Sequence, residues 1–456
     1  MYALTALAAA VAVVAPAAMP ARTYVLVGTT RDPAAIRVAP GRAYADGFGY
    51  EADSHLFSIS AAPGNYAVTV TLGDPARATE TTIKAENRRL MLDAVRTRPG
   101  EIVTRRFIVN VRNPQLAPPP ANAPGGSAVR LKPRELGALN WDDRLTLEVL
   151  GHAPGLRTVS IAPVDVPTLF LLGDSTVTDQ PAEPAASWGQ MLPAFLAPEI
   201  AVANHAESGE TLKSFLTELR LDKVLASAKP GDIAMIQFGH NDQKAQWPQT
   251  YADAATTYRD YLRTYIAELR RRGVTPVLVT SPERRMWTAD GHIRPTLADY
   301  AAAVRAVGAE TQTPVIDLNA ASIRVYEALG RTRAPLAFND DGRDATHHDN
   351  YGAWVLAHIV ADAATAARYS AELNLPADMP PTFLGHAADD PVVPVANSIA
   401  MFQAVHALPR PAELHIVETG GHGPRLIGPD GKPHPWLARF ATFAHRHGLN
   451  IPGDDA

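Results

Sequence analysis

Between residues 22 and 163 the apolar positions fall into short runs rich in Val, Ile, Phe, Tyr and Thr, at Leu56–Ser60, 66–72, 105–111 and 145–150. Turn chemistry separates them, as in Pro63-Gly64-Asn65 and Gly73-Asp74-Pro75. Short strands punctuated in this way predict a β-sandwich. Pro118-Pro119-Pro120 and the Gly- and Pro-containing stretch after it predict an exposed loop, because proline brings no N–H to a sheet ladder. From Thr168 the texture changes. Buried-type apolar runs at 168–172, 200–203, 233–238, 276–280 and 314–317 alternate with helical periodicity at 188–196, 212–219, 252–272, 296–307 and 320–329. In the third of these helices Tyr258, Tyr261, Leu262, Tyr265 and Leu269 make one stripe, which reads as a packing face. The alternation predicts a doubly wound α/β/α sandwich with a parallel sheet, whose ligands bind at the carboxyl ends of the strands. From residue 375 the pattern repeats once more, with strands at 382–386 and 413–417 and helices at Val395–Ala407 and 436–446.

Length and composition narrow the classes. The 456 residues are enough for roughly three domains. At 46% hydrophobic and 20% charged the chain is neither disordered nor a membrane bundle. Lys+Arg 42 against Asp+Glu 47, a net charge of −5, leaves no basic surplus for nucleic acid. The absence of Cys excludes disulfides, thiol nucleophiles and Cys-ligated metal. The stretch 3–14 is almost purely Ala, Val and Leu, and Ala15-Pro16-Ala17 offers small residues for cleavage. Residues 1–21 are therefore expected to be a signal peptide, and the protein secreted or periplasmic, with no membrane partner after signal removal.

The candidate chemistry lies at strand ends. Gly173-Asp174-Ser175-Thr176 follows directly on the apolar run ending at Leu172, which delivers Ser175 just ahead of a helix, where a nucleophile belongs. The same tripeptide also makes ordinary turns and N-caps, so its meaning depends on its surroundings. Gly239-His240-Asn241-Asp242 follows the run ending at Phe238, and the Asn241 amide there could donate to a developing oxyanion. Gly209 can present a backbone N–H at the same edge. Asp344-Ala345-Thr346-His347 sets a carboxylate three residues before an imidazole, close enough on a turn to accept from one ring nitrogen and leave the other for a serine hydroxyl.

In this order the four blocks resemble the SGNH (GDSL-type) hydrolase superfamily. The resemblance implies Ser175 as nucleophile, His347 as general base and then acid, and Asp344 as the group orienting it. It implies an oxyanion hole made of the Ser175 N–H, the Gly209 N–H and the Asn241 side chain. Asp174, His240, Asp242 and His348 are expected to support these groups; His348 competes with its neighbour as base, and the Asp-x-x-His spacing favours His347. No metal or cofactor is implied. More narrowly, GDSTVTDQ at 173–180, NHAESGET at 204–211, KPGDIAMIQFGHNDQK at 229–244 and Thr346-His347-His348 before Tyr351-Gly352 resemble bacterial rhamnogalacturonan acetylesterase-like proteins of carbohydrate esterase family 12. The resemblance covers about residues 165–370, and the preceding sandwich looks like a galactose-binding-like domain, notably at 71–92. The expected layout is a signal peptide at 1–21, the sandwich at 22–164, the SGNH hydrolase at 165–374 and a further segment at 375–456.

The implied activity is a serine esterase that removes O-acetyl groups from plant cell-wall polysaccharide, pectic rhamnogalacturonan or xylan, through an acyl-enzyme. A GDSL-type lipase or thioesterase is the alternative enzyme. A non-catalytic carbohydrate-binding protein is the alternative from another class, and the intact Ser175, Gly209, Asn241, Asp344 and His347 set speaks against it. Trp188, Trp247 and Trp287 are candidate sugar-stacking faces with packing as the competing role, and Arg284 and Arg285 are candidates to meet a uronate carboxylate. In the last segment HAADDPVVP at 386–394 and Gly420-Gly421-His422-Gly423 resemble the closing part of an acetyl-xylan-esterase-type α/β-hydrolase, where Asp390 would orient His422. No Gly-x-Ser-x-Gly nucleophile occurs in the chain, so this segment reads as a partial α/β-hydrolase remnant without catalysis of its own, packed on the main domain or mediating self-association.

Overall fold

The first ten strands form two five-stranded sheets. One runs in the order Ile36–Arg37, Arg22–Val25, Leu156–Pro163, Gly64–Leu72, Val103–Val111, and the other Phe48–Tyr50, Leu56–Ser60, Arg144–Leu150, Thr79–Ala85, Arg89–Thr97. Alternation in Gly64–Leu72 turns Tyr66, Val68, Val70 and Leu72 inward, where they share one apolar core with Phe57, Ile59, Ile83, Leu145 and Leu147 of the other sheet. The chain is described here by a computed structural model that covers residues 21–53, 55–369, 375, 378–390, 395–408, 410–421 and 435–448. The expected signal peptide lies almost wholly outside the described residues, as does His422.

A parallel sheet follows, in the order Ala201–Asn204, Thr168–Gly173, Ile233–Gln237, Thr275–Val279, Val315–Ile316. Its apolar strands pack Phe170, Leu172, Ile236 and Leu278 against Leu262, Tyr265 and Leu269 of the helix Thr257–Arg270, so the aromatic stripe is core. This helix starts five residues later than its periodicity suggests, because Asp253 Oδ1 accepts from Ala255 N at 3.0 Å and Thr256 N at 3.1 Å and holds a turn there. The periodicity at 188–196 resolves into Trp188–Met191 and a 3₁₀ turn, Leu192–Phe195, because Pro193 has no N–H to continue the ladder. That at 212–219 is Leu212–Thr217, followed by a second helix, Arg220–Ser227, after a left-handed Leu219.

Buried polar groups join the two layers. Arg89 donates to Val202 O at 2.8 Å and its Nε lies 3.1 Å from Asp179 Oδ2. Arg112 donates to Asn204 O at 2.5 Å with its guanidinium over the Trp141 ring, and Asn65 donates to Thr168 Oγ1 at 2.9 Å. Such groups are costly to bury without partners, so these contacts specify how the β-rich region sits on the parallel sheet.

The chain divides into two compact units, Met1–Ala361 and Asp362–Ala456. In the second, Thr382–Ala387 pairs in parallel with Ala412–Val417, accompanied by helices Val395–Ala407 and Pro435–Arg446. Among the described residues no helix is long and apolar enough to cross a membrane.

Candidate active site

Gly173 pairs with Gln237 across the sheet, so the segments carrying Ser175 and Asn241 leave it side by side at the carboxyl edge. Only glycine fits at 173, where a Cβ would stand 2.5 Å from Val177 Cγ2 and 2.9 Å from Gln237 O. The turn is held by Asp174, whose backbone oxygen accepts from Val177 N at 3.0 Å and Thr178 N at 3.1 Å. The Asp174 carboxylate accepts from Thr176 N at 2.9 Å and Thr176 Oγ1 at 2.8 Å. Burial would raise the Asp174 carboxyl, but His240, 3.4 Å away, and the Thr176 hydrogen bonds hold it below its ordinary range. Asp174 thus fixes the turn, with His240 beside its carboxylate.

Ser175 Oγ lies 2.9 Å from His347 Nε2, and His347 Nδ1 lies 2.7 Å from Asp344 Oδ2. The other carboxylate oxygen accepts from Thr346 N at 2.7 Å and His347 N at 3.0 Å, a turn that only the Asp-x-x-His spacing closes. Burial opposes ionisation of Asp344, yet these N–H donors and the imidazole keep its carboxyl below the ordinary value. An anionic Asp344 accepts a hydrogen bond from Nδ1–H, so the proton stays on Nδ1 and Nε2 is the acceptor facing the serine hydroxyl. His348 cannot compete. Its Nε2 is 2.7 Å from Tyr326 OH, its ring packs on Phe338 at 4.6 Å, and burial pushes its pKa down to about 3.

Three donors lie on the segments that leave this sheet edge. Asn241 Nδ2 donates to Glu210 O at 3.1 Å, and its Oδ1 accepts from Lys244 Nζ at 2.8 Å, so the amide is oriented with one N–H still to give. Gly209 has φ +83°, a left-handed conformation suited to glycine, on the loop that Glu207 N ties to Gly173 O at 3.1 Å. Among the described residues neither Ser175 N–H nor Gly209 N–H is taken by a protein acceptor. A serine, a tautomer-fixed imidazole and uncommitted N–H donors at the same sheet edge can perform nucleophilic acyl transfer with stabilisation of a tetrahedral oxyanion.

Asp242 is buried behind this edge, where its Oδ1 accepts from Leu212 N at 2.9 Å. Burial first, and then the nearby Asp174 charge, push its carboxyl up to about 8. A folded-state pKa above the unfolded value means stability that is complete at low pH and is lost as pH rises from about 4 through about 8. Asp242→Asn keeps the acceptor for Leu212 and removes the ionisation. Its melting temperature should gain on the wild type progressively between pH 5 and pH 9, by the equivalent of a few kcal/mol, and a pH-independent difference between the two proteins would refute this assignment.

Several expected positions have other employment. Trp188 is a core residue, 1% exposed, with Nε1 donating to Gln237 Oε1 at 2.7 Å, so it offers no sugar face. Trp287 is half-buried beneath Arg331, whereas Trp247 is 48% exposed beside Lys244. Arg284 donates to Thr296 Oγ1 at 3.0 Å and His240 O at 3.3 Å. Arg285 donates to Gly342 O and, at 3.2 Å, to Asp344 O, while its own N–H donates to Ala345 O at 2.8 Å. It clamps the loop that carries Asp344 and His347. Lys244 was present in the sequence block around Asn241, three residues on, but nothing in the spacing shows that it grips the amide. In the second unit Asp390 Oδ2 lies 3.8 Å from His386 Nε2, and His386 Nδ1 lies 2.7 Å from Ser398 Oγ.

Comparison with known proteins identifies the family of this region. The profile of the GDSL-like Lipase/Acylhydrolase family matches residues 171–355. Rhamnogalacturonan acetylesterase RhgT of Bacillus subtilis (strain 168) is 36% identical over 221 residues, 46% of this chain and 91% of that protein. The probable rhamnogalacturonan acetylesterase YesY of the same organism is 34% identical over 196 residues, 42% of this chain and 90% of its own. The B. subtilis protein YxiM, named an uncharacterized esterase, is 27% identical over 311 residues, 67% of this chain and 73% of its own. With its serine, histidine and carboxylate aligned at the sheet edge inside the matched region, this chain belongs to the GDSL-like lipase/acylhydrolase family and is a carboxylic ester hydrolase.

Proposed function

We propose that the protein is a carbohydrate acetylesterase that removes O-acetyl groups from pectic rhamnogalacturonan through an acyl-enzyme on Ser175. The observation that carries this reading is the Ser175–His347–Asp344 relay, with links of 2.9 and 2.7 Å, bordered by Asn241 and two uncommitted backbone N–H groups. The rhamnogalacturonan acetylesterase name of a relative matched over 91% of its length supports the polymer.

In this mechanism His347 Nε2 takes the Ser175 proton as Oγ attacks the acetyl carbonyl carbon. The tetrahedral oxyanion settles on Ser175 N–H, Gly209 N–H and Asn241 Nδ2. Asp344 stabilises the imidazolium, which then protonates the departing sugar oxygen. Water repeats the cycle on the acetyl-serine and frees acetate. Residues 22–164 are read as a galactose-binding-like domain, 165–374 as the hydrolase and 375–456 as a partial α/β-hydrolase segment available for self-association, in a secreted or periplasmic protein.

The test is acetate release by the wild type from acetylated pectin, acetylated xylan and an aryl acetate, beside aryl esters of longer acids. Fastest polymer turnover is expected on acetylated pectin. Preference for xylan would replace the polymer, faster cleavage of long-chain esters would favour a lipase or thioesterase, and no release from any ester would favour a binding protein.

A further inference from the structure

Two cations from the stretch between the strands Val103–Val111 and Arg144–Leu150 stand over the Ser208–Gly209 peptide. Lys132 Nζ donates to Ser208 O at 2.8 Å, and Arg134 donates to the same oxygen through a terminal nitrogen. Both cations are also fixed by carboxylates of the same loop: Lys132 pairs with the buried Glu210, and Arg134 Nε lies 2.7 Å from Glu207 Oε1. A Cβ built on Gly209 would meet Lys132 Nζ at 3.8 Å and Arg134 at 4.0 Å, which places both charges directly against this residue.

The turn that presents them, Pro133–Glu135, is itself anchored. The Glu135 carboxylate takes both terminal nitrogens of the buried Arg220, at 3.0 and 2.5 Å, as well as Trp141 Nε1 at 3.0 Å and Lys132 N at 2.8 Å. A two-pronged arginine–carboxylate pair of this kind is geometrically specific, so the two cations sit on a rigid mount. The loop below is less constrained by its own backbone, because glycine at φ +83° lets the adjoining peptide plane turn over at small steric cost.

The orientation of that plane decides what the site can do. A trans peptide is flat, with its C=O and N–H on opposite sides. Binding the Ser208 oxygen to two cations directs the Gly209 N–H the other way, and a reversed plane would present a carbonyl to a developing oxyanion instead of a donor. The Asp174–Ser175 peptide is fixed by the same logic, with its oxygen held by Val177 N and Thr178 N.

We propose that Lys132 and Arg134 are positioning residues of the esterase, holding the Ser208–Gly209 peptide so that Gly209 N–H is aimed into the oxyanion hole. The β-rich N-terminal region thereby completes a site whose nucleophile lies elsewhere. This rests on the reading of Ser175 and its oxyanion donors given under Proposed function.

The test uses the full-length protein and an aryl acetate, with methylboronic acid as the probe. Its boron accepts a lone pair from Ser175 Oγ as His347 Nε2 takes the hydroxyl proton, and one oxygen of the resulting tetrahedral boronate occupies the oxyanion position. For the double variant Lys132→Met with Arg134→Gln, kcat should fall roughly tenfold to a hundredfold, since orientation of one donor of the kind worth 10²–10³ is weakened. KM should stay within about twofold, and the boronate inhibition constant should rise in parallel with the loss in kcat. Arg134→Lys, which keeps a cation, should recover most of the rate lost by Arg134→Gln. Wild-type kcat in the double variant overturns the proposal, as does a loss of kcat with unchanged boronate inhibition. Should the double variant fail to fold, Arg134→Gln alone decides on the same two readouts, because that side chain is 53% exposed and its loss leaves the core intact. Activity surviving in Ser175→Ala would overturn the nucleophile reading, whereas an inactive Ser175→Ala beside fully active Lys132 and Arg134 variants would overturn this proposal alone.

Discussion

The Ser175→Ala protein will cleave an aryl acetate at least about ten-thousandfold more slowly than the wild type, and it will melt within a few degrees of it. The hydroxyl is the one group 2.9 Å from His347 Nε2, so its loss leaves the base without a proton to take. No neighbour can substitute. Thr176 Oγ1 is already committed to Asp174 Oδ1 and Gln237 Nε2, both at 2.8 Å. Stability is spared because the side chain lost is a single oxygen at the mouth of the site, and its removal opens no apolar cavity. His347→Ala should be as slow, and combining the two should add little, because the pair acts as one unit. Burst-free initial rates at saturating substrate would measure this. A variant within a hundredfold of the wild type would mean that another nucleophile works in this fold.

Asn241→Ala is expected to lower kcat roughly a hundredfold or more with a small change in KM. The side chain is pinned at both ends, by Glu210 O at 3.1 Å and Lys244 Nζ at 2.8 Å, so its free N–H is already aimed before substrate arrives. Pre-aimed donors stabilise the transition state without reorganising, which is why the loss should appear in kcat. Asn241→Asp, similar in size, should be slower still, since it sets a carboxylate or at best a misplaced acid where negative charge develops. Equal kcat in the alanine variant and the wild type would remove Asn241 from the mechanism.

The site was legible because each of its groups sits beside a local signal. Ser175 and Asn241 follow apolar runs whose lengths mark parallel strands, and Asp344 needs only the three-residue spacing to close a turn on His347. What supports those groups was not legible, because it comes from far along the chain. Lys132 and Arg134 read as ordinary solvated charges until the fold brings them to Ser208, and Arg285 reads as an anion-binding candidate until its loop partners are seen. The strands Thr79–Ala85 and Arg89–Thr97 lack a clear apolar alternation for a related reason. Lys84 and Arg89 are buried in them, paired with Glu183 and Asp179 beyond the β-rich region, and Glu86 is buried between the two strands beside Arg89, so charge stands where a pattern search expects hydrocarbon. The helix Arg220–Ser227 is hidden by the same device, with Arg220 in its first turn fully buried against Glu135.

The arginines that reach from the β-rich region have a consequence for any attempt to shorten the protein. Ala201–Asn204 is the outermost strand of the parallel sheet, and its outward carbonyls at Val202 and Asn204 are capped by Arg89 and Arg112. A protein trimmed to the family signature would uncover that border and offer unpaired backbone to any extended segment it met. The β-rich strands between Arg22 and Pro163 therefore act as a hem on the parallel sheet, and the smallest piece expected to stay monodisperse is longer than the piece that carries the chemistry.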